Sequence, residues 1–155
     1  MSGVGTESSL HTSLETQPPQ YSIVVPAYNE GARLGGTLEE ILEHIDGQGW
    51  NAEVLVVDDG SSDDTVGVAE KFAAGHPALR IIRNPGNRGK GYSVRNGMLQ
   101  AKGKVLLFTD ADLSSPITEA TKLFAATALS PIAPVNNARA KTAEDSHLFI
   151  YSSEV

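Results

Sequence analysis

The chain has 155 residues, 40% of them apolar and 20% charged, an ordinary balance for a soluble globular domain long enough to bury a core. A formal net charge of -7 argues against non-specific nucleic-acid binding, while leaving room for a locally positive site for a phosphorylated small molecule. There is no cysteine, which excludes disulfides and zinc–thiolate sites and fits a reducing cytoplasm.

Residues 1–20 are rich in Ser, Thr, Gln and Gly and end in Pro18-Pro19. They read as a disordered leader, and they lack the basic and apolar regions of a secretory signal. No apolar run approaches the ~20 residues needed to span a bilayer. Membrane association is therefore expected to be peripheral, at a cytoplasmic face, or made by parts this chain lacks. Order is expected from Tyr21, where Tyr21 to Val25 form a strand stopped by Pro26. Leu34, Leu38, Ile41, Leu42 and Ile45 then recur at helical spacing. Glu53 to Val57 is a second strand, ended by Asp58-Asp59-Gly60. Ser62 suits the N-cap of a helix carrying Val66, Ala69, Phe72 and Ala73 on one face, ended by Gly75-His76-Pro77. Leu79 to Ile82 is a third strand, and Asn84 to Gly91 a glycine-punctuated loop. Val94, Gly97, Met98 and Ala101 mark a third helix, and Val105 to Phe108 a fourth strand. Ser115-Pro116 predicts a further helix start.

Apolar, β-branched strands alternating with helices predict an α/β fold, with an open, mainly parallel sheet covered on both faces. In such a sheet the carboxyl ends of the strands share one edge, and ligands bind in the crevice along it. Four polar segments follow the four strands: Pro26 to Glu30, Asp58 to Ser62, Asn84 to Gly91 and Asp110 to Ser115. They are expected to converge on one pocket.

Asp110-Ala111-Asp112 carries the sharpest chemistry. Alternate residues of an extended segment point the same way, so two carboxylates around one small residue can face one cation. An oxygen site with few protein donors suits Mg²⁺ or Mn²⁺, with substrate phosphates completing the shell. Such an ion would neutralise a diphosphate leaving group. A lone D-x-D is equally compatible with a solvated loop or a helix cap; its place directly after an apolar strand favours the functional reading. Asp58 or Asp59 offers a carboxylate for a base N–H or for ribose hydroxyls, whereas Asp63 and Asp64 suit a helix start. Tyr28 offers a ring for a nucleobase beside Pro26, Asn29 and Glu30. Asn87-Arg88-Gly89-Lys90-Gly91 supplies cations and backbone amides as a phosphate cradle, without the P-loop pattern.

Together, Ile23-Val24-Val25-Pro26-Ala27-Tyr28-Asn29-Glu30, Val57-Asp58-Asp59-Gly60-Ser61-Ser62-Asp63, Asn87-Arg88-Gly89-Lys90-Gly91 and Thr109-Asp110-Ala111-Asp112-Leu113-Ser114-Ser115-Pro116 resemble family 2 glycosyltransferases of the GT-A fold. Within that family they look most like the polyprenyl (dolichyl) phosphate β-glucosyltransferases and their bacterial relatives. The resemblance covers about Tyr21 to Phe124. It implies a nucleotide-sugar-binding domain over residues 21–129 and an inverting transfer from a donor such as UDP-glucose to a polyprenyl phosphate. By carry-over, Pro26, Tyr28 and Glu30 line the nucleoside site and Asp59 binds the base. Asp110 contacts the ribose or metal beside Ala111, Asp112 ligates the metal, and Arg88 and Lys90 sit near the diphosphate. A lipid phosphate acceptor is already anionic near neutral pH, its second pKa being about 6, and needs little help from a general base. Beyond Phe124 the family continues with a Gly-Ser-Arg-like motif and an acceptor-binding half. Residues 130–155 match neither and read as a divergent tail, with Leu148 to Tyr151 as a short strand or a stray apolar run.

Three other readings stand beside this one. A haloacid-dehalogenase-like phosphotransferase would use Asp110 as nucleophile and Asp112 as acid/base. A receiver-like domain would use Asp58 and Asp59 for metal and Asp110 as phosphoacceptor. A truncated nucleotide-binding fragment would bind without transfer.

Overall fold

The computed structural model describes residues 18–112, residues 117, 118 and 122, and the backbone of 141–142 and 149–152. Strands β1 (Tyr21–Ala27), β2 (Ala52–Asp58), β3 (Leu79–Arg83) and β4 (Val105–Phe108) alternate with helices α1 (Gly31–Gln48), α2 (Thr65–Gly75) and α3 (Lys90–Gln100). Two further strands are β5 (Lys141–Thr142) and β6 (Phe149–Ser152). The sheet order is β3-β2-β1-β4-β6-β5. The first four strands are parallel, and β6 runs antiparallel to β4 and β5. The expected open, mainly parallel sheet is thus observed, with an antiparallel margin drawn from the tail. The run Leu148 to Tyr151, expected as a short strand or a stray apolar run, supplies most of β6 (Phe149–Ser152), which pairs with the whole of β4.

Strand alternation splits the core between the two faces of the sheet. Ile23 and Val25 of β1 and Val54 and Val56 of β2 pack with Leu34, Leu38, Ile41, Leu42 and Ile45 of α1 and Ala69 of α2. Their neighbours Val24, Leu55 and Val57 face the other way, onto Met98 and Ala101 beside α3. Helices therefore cover both faces. Gly97 makes the α3 contact close: a Cβ there would lie 2.5 Å from Val24 Cγ1 and 2.9 Å from Val57 Cγ2.

Several boundaries differ from the sequence reading. Pro26 does not stop β1, which continues to Ala27. Val24 accepts from the Thr109 N–H, so Pro26 also faces β4, but the β4 ladder ends at Val24–Phe108. The next bond of that ladder would need a donor at Pro26, which has none, so pairing with β4 ends there while pairing with β2 runs on to Ala27. Ser62 does not cap α2, which begins at Thr65 after Asp64. Val68, rather than Val66, joins Phe72 and Ala73 against the core. Residues 18–20 are held rather than loose: the Gln20 N–H donates to Asn51 O, and Gln20 O accepts from Lys104 and Val105. The helix start expected at Ser115-Pro116 lies outside the described residues.

The second residues of three strands meet at the amino edge, opposite the ligand-binding edge. Buried Glu53 accepts from Ser22 Oγ (2.7 Å), from the Lys102 N–H (2.6 Å) and from Arg80 Nη2 (3.0 Å). Ser22 Oγ in turn accepts from the Gly103 N–H at 2.8 Å.

Candidate active site

The chain builds β1, β2 and β3 outward in one direction, then crosses back to place β4 on the other side of β1. The order reverses between β1 and β4, and that switch point is where open α/β sheets bind ligands. A cleft of about 470 Å³ opens there. All four predicted segments reach it: Pro26 at the end of β1 with Tyr28 and Glu30 beyond it, Asp59 after β2, Lys90 at the start of α3, and Asp110, Ala111 and Asp112 after β4. The convergence expected from the sequence is met.

The Asp110-Ala111-Asp112 segment alternates as its pattern requires. Ala111 is buried in the α1–β1 core, and its carbonyl accepts from Thr37 Oγ1 of α1 at 2.5 Å. This anchor holds the middle of the triplet while both flanking carboxylates line the cleft. Each carboxylate meets a cation from a different helix. Lys90 Nζ forms an ion pair with Asp110. Arg33 lies 3.9 Å from Asp112 and 3.9 Å from Glu30.

The β1 and β2 loops are bound to each other by side chains that the sequence reading did not assign. Asn29, in the left-handed region at φ 51, accepts through Oδ1 from the Ser62 N–H (2.8 Å) and the Asp63 N–H (3.3 Å). The Asn29 N–H donates to Ser61 Oγ at 2.9 Å. Asp63 serves helix starts, as expected, and serves two. Its Oδ2 accepts from the Gly31 N–H of α1 and its Oδ1 from the Thr65 N–H of α2, each at 3.0 Å. The Thr65 hydroxyl bond foremost, with those backbone N–H bonds outweighing partial burial, holds the Asp63 carboxyl below its ordinary value. These bonds fix the height of Tyr28, which stands 48% exposed at the cleft.

Asp58 and Asp59 differ in environment. Asp59 is buried, and it takes the Arg88 N–H (2.7 Å), the Gly89 N–H (2.9 Å) and Asn84 Nδ2 (2.9 Å). Burial raises its pKa, but the bonds from Arg88, Asn84, Gly89 and Ser93 outweigh it and leave the net value lowered. Asp59 therefore anchors the loop between β3 and α3 as well as lining the cleft. Asp58 lies outside the cleft lining; its Oδ2 accepts from the Ser61 N–H at 3.3 Å, and its buried Oδ1 has no hydrogen-bond partner among the described residues. Arg88 also lies outside the lining: its Nε turns back to Pro85 O at 3.0 Å. Its backbone N–H serves the site through Asp59, while its guanidinium, expected near a diphosphate, stands outside the lining. Gly60 permits the loops to touch. Its φ is +78, and a Cβ there would lie 2.8 Å from the Gly86 carbonyl carbon.

Arg33, Thr37, Asn84 and Ser93 are site residues that the sequence reading did not single out, and Asn29 was noted beside Tyr28 without its role as a tie between loops. Asn84 was the most findable, being a polar residue directly after β3 at the ligand edge. Arg33 and Thr37 meet Asp112 and Ala111 across 79 and 74 residues of chain, and Ser93 meets Asn84 across 9.

For a divalent cation, the donor set is two carboxylates from one segment, with no group of three or more His, Asp or Glu that could hold a metal among the described residues. That fits Mg²⁺ or Mn²⁺ held by one or two carboxylates together with phosphate oxygens and water. It does not fit an ion caged by protein alone.

A switch-point cleft in an open α/β sheet, with two acidic groups facing a lysine and an exposed tyrosine, defines a nucleotide-binding class of domain. Residues 22–128 match the family model described as "Glycosyl transferase family 2". The chain belongs to that family. A dolichyl-phosphate beta-glucosyltransferase of Drosophila melanogaster is 42% identical over 130 residues, covering 79% of this chain and 39% of the relative. The enzyme of that name from Homo sapiens is 35% identical, covering 77% of this chain and 39% of the relative. The chain thus spans about two fifths of the length of these curated relatives. Among solved structures, a mannosyltransferase of Pyrobaculum calidifontis in complex with GDP-Man and Mn²⁺ is 30% identical with a TM-score of 0.58, covering 70% of this chain and 32% of that one. S. aureus TarS 1-349 is similar in fold, with a TM-score of 0.59 at 23% identity, covering 86% of this chain and 47% of that one. The fold is that of the GT-A glycosyltransferases. It is not receiver-like, since that class orders its strands 2-1-3-4-5. Family membership likewise removes the haloacid-dehalogenase-like reading.

Proposed function

We propose that this chain is the donor-binding part of a transferase that moves a hexose, glucose, from UDP-glucose to a polyprenyl phosphate with inversion. The observation that carries the proposal is the meeting of Asp110 and Asp112 with Lys90 and Tyr28 around one cleft. Asp110 and Asp112 would hold Mg²⁺ or Mn²⁺, which supplies Lewis-acid neutralisation of the diphosphate. Tyr28 and Pro26 present a face for the base, Glu30 borders the nucleoside site, and Ala111 lets the donor approach the backbone. Asp59 retains acceptor capacity on Oδ2 for the base, and Asp58 Oδ1 is an unspent acceptor just behind the cleft. The shared name of the fly and human relatives supports glucosyl transfer to a dolichyl-type phosphate, and the GDP-Man and Mn²⁺ complex supports a metal-bound sugar nucleotide. A lipid-borne acceptor implies peripheral contact with a membrane at its cytoplasmic face. No described helix is long and apolar enough to cross one.

The test is calorimetry of UDP binding with and without Mn²⁺, on the wild type and on Asp112→Ala. Metal-dependent binding is expected, with the variant at least about tenfold weaker, in line with the loss of a charge-assisted contact worth roughly 1.5–3 kcal/mol. Absence of UDP affinity under every condition would falsify the proposal. Release of glucose from UDP-glucose, with and without a polyprenyl phosphate, separates transfer from binding alone.

A further inference from the structure

We infer that Lys90 and Arg33 are resident counterions of the Asp110/Asp112 pair, and that a divalent cation and a diphosphate bind as a coupled pair because each supplies what the other displaces. The inference rests on the metal reading given above. It concerns two cations of this chain, one of which the sequence reading did not single out.

Lys90 is the first residue of α3 and Arg33 the third of α1. A helix start carries partial positive charge and favours acidic side chains, so both cations are misplaced with respect to their own helices. Neither α1 nor α3 has an acidic residue in its first turn. What opposes the repulsion is Asp110 across the cleft for Lys90 and, for Arg33, Asp112 across the cleft together with Glu30 at the N-cap of α1 itself. The two carboxylates that would receive a metal are thus already neutralised, from opposite sides and by separate elements.

The pairs are built to exchange. The side chains of Lys90 and Arg33 are 60% and 65% exposed, and pairs so wet are weakly held. Asp59 is a poorer partner for the displaced ammonium, because its carboxylate already takes three loop donors. A cation arriving at Asp110 therefore leaves the Lys90 ammonium in the cleft without its anion, which disfavours metal binding in isolation. A diphosphate restores an anion to that ammonium. Conversely, a diphosphate arriving first must draw Lys90 from Asp110, exposing the carboxylate pair to mutual repulsion that a metal relieves. The coupling is reciprocal, as linkage requires.

The experiment is Mn²⁺ titration followed by the paramagnetic resonance of the free aqua ion, with and without UDP, on folded protein checked by circular dichroism. For the wild type, UDP is expected to tighten Mn²⁺ by about tenfold, within the usual 5–150-fold range of coupling between sites. Lys90→Met should bind Mn²⁺ alone several-fold more tightly than the wild type and lose most of the UDP enhancement. Arg33→Met should also tighten Mn²⁺ alone, Lys90→Arg should restore the coupling, and Lys71→Met, on the remote α2 surface, should change nothing. Should Lys90→Met not fold, Lys90→Gln tests the same loss of charge. Wild-type Mn²⁺–UDP binding with an unchanged or weakened Mn²⁺ affinity in the Lys90 variants overturns this inference while leaving the proposed function standing. No Mn²⁺ binding by the wild type, with or without UDP, overturns both.

Discussion

Asp59 sits where two demands meet. Its carboxylate joins the β2 edge to the Arg88–Gly89 turn, and it also forms part of the cleft. The net effect of these bonds is a folded-state pKa below the ordinary 3.8. The charged form is therefore favoured by the fold, so the contribution of Asp59 to stability is complete above that ordinary value. It is lost as pH falls through the lower folded value. Urea unfolding from pH 7 to pH 2 should show stability falling below about pH 4 in the wild type. Asp59→Asn should be less stable at pH 7 by about 1–3 kcal/mol, because one amide oxygen replaces two acceptors for loop N–H groups. The variant should also lack part of the acid-side decline. An unchanged pH profile would show that the loop does not depend on this carboxylate.

Among the elements, the amino edge matters as much to stability as the carboxyl edge does to chemistry. Glu53 brings Ser22 of β1, Arg80 of β3 and the turn after α3 to one buried carboxylate. Its removal leaves a backbone N–H and a guanidinium without their acceptor. Glu53→Ala should cost about 3 kcal/mol, the lower end for breaking a buried pair because Arg80 is about one-third exposed. Glu53→Gln, which keeps one acceptor, should cost about half as much by the same reasoning. The linear dependence of unfolding free energy on urea gives both values, and equal stability of Glu53→Ala and wild type would refute the role. The helices divide differently. The buried face of α1 was readable because five apolar side chains, Leu34, Leu38, Ile41, Leu42 and Ile45, repeat on one side, and all five are buried. The start of α2 was misplaced from Ser62 because that residue is recruited by Asn29, a partner 33 positions away. Local capping propensity lost to a tertiary hydrogen bond.

For the whole molecule, ligand binding and folding are linked. A ligand that binds only the folded state stabilises it by RT ln(1 + [L]/Kd), about 2.7 kcal/mol at one hundred times Kd. Thermal unfolding with saturating UDP and Mn²⁺ should therefore rise by roughly 5–10 °C for a chain of this size. UDP or Mn²⁺ alone should give a smaller rise than the two together. Equal shifts with and without metal would place the nucleotide away from Asp110 and Asp112.

The alternation of apolar strands and helices, the four polar segments at strand ends and the D-x-D spacing are local patterns, and side-chain periodicity alone made them legible. From them followed the α/β class and the shared edge, and the family resemblance of the same segments completed a set of ten candidate residues that include every charged group of the cleft. Local patterns carry no information about which strand lies beside which. Only the folded sheet set β4 against β1, opened the cleft between them, and brought Lys90 to Asp110 and Arg33 to Asp112 across 20 and 79 residues of chain. The same non-local packing separated Asp59, which lines the cleft, from Asp58, which does not, and gave the Arg88 backbone N–H to Asp59. Residue type and spacing indicate what chemistry a segment can perform; the strand order and the partners at each strand end decide which groups are near enough to perform it.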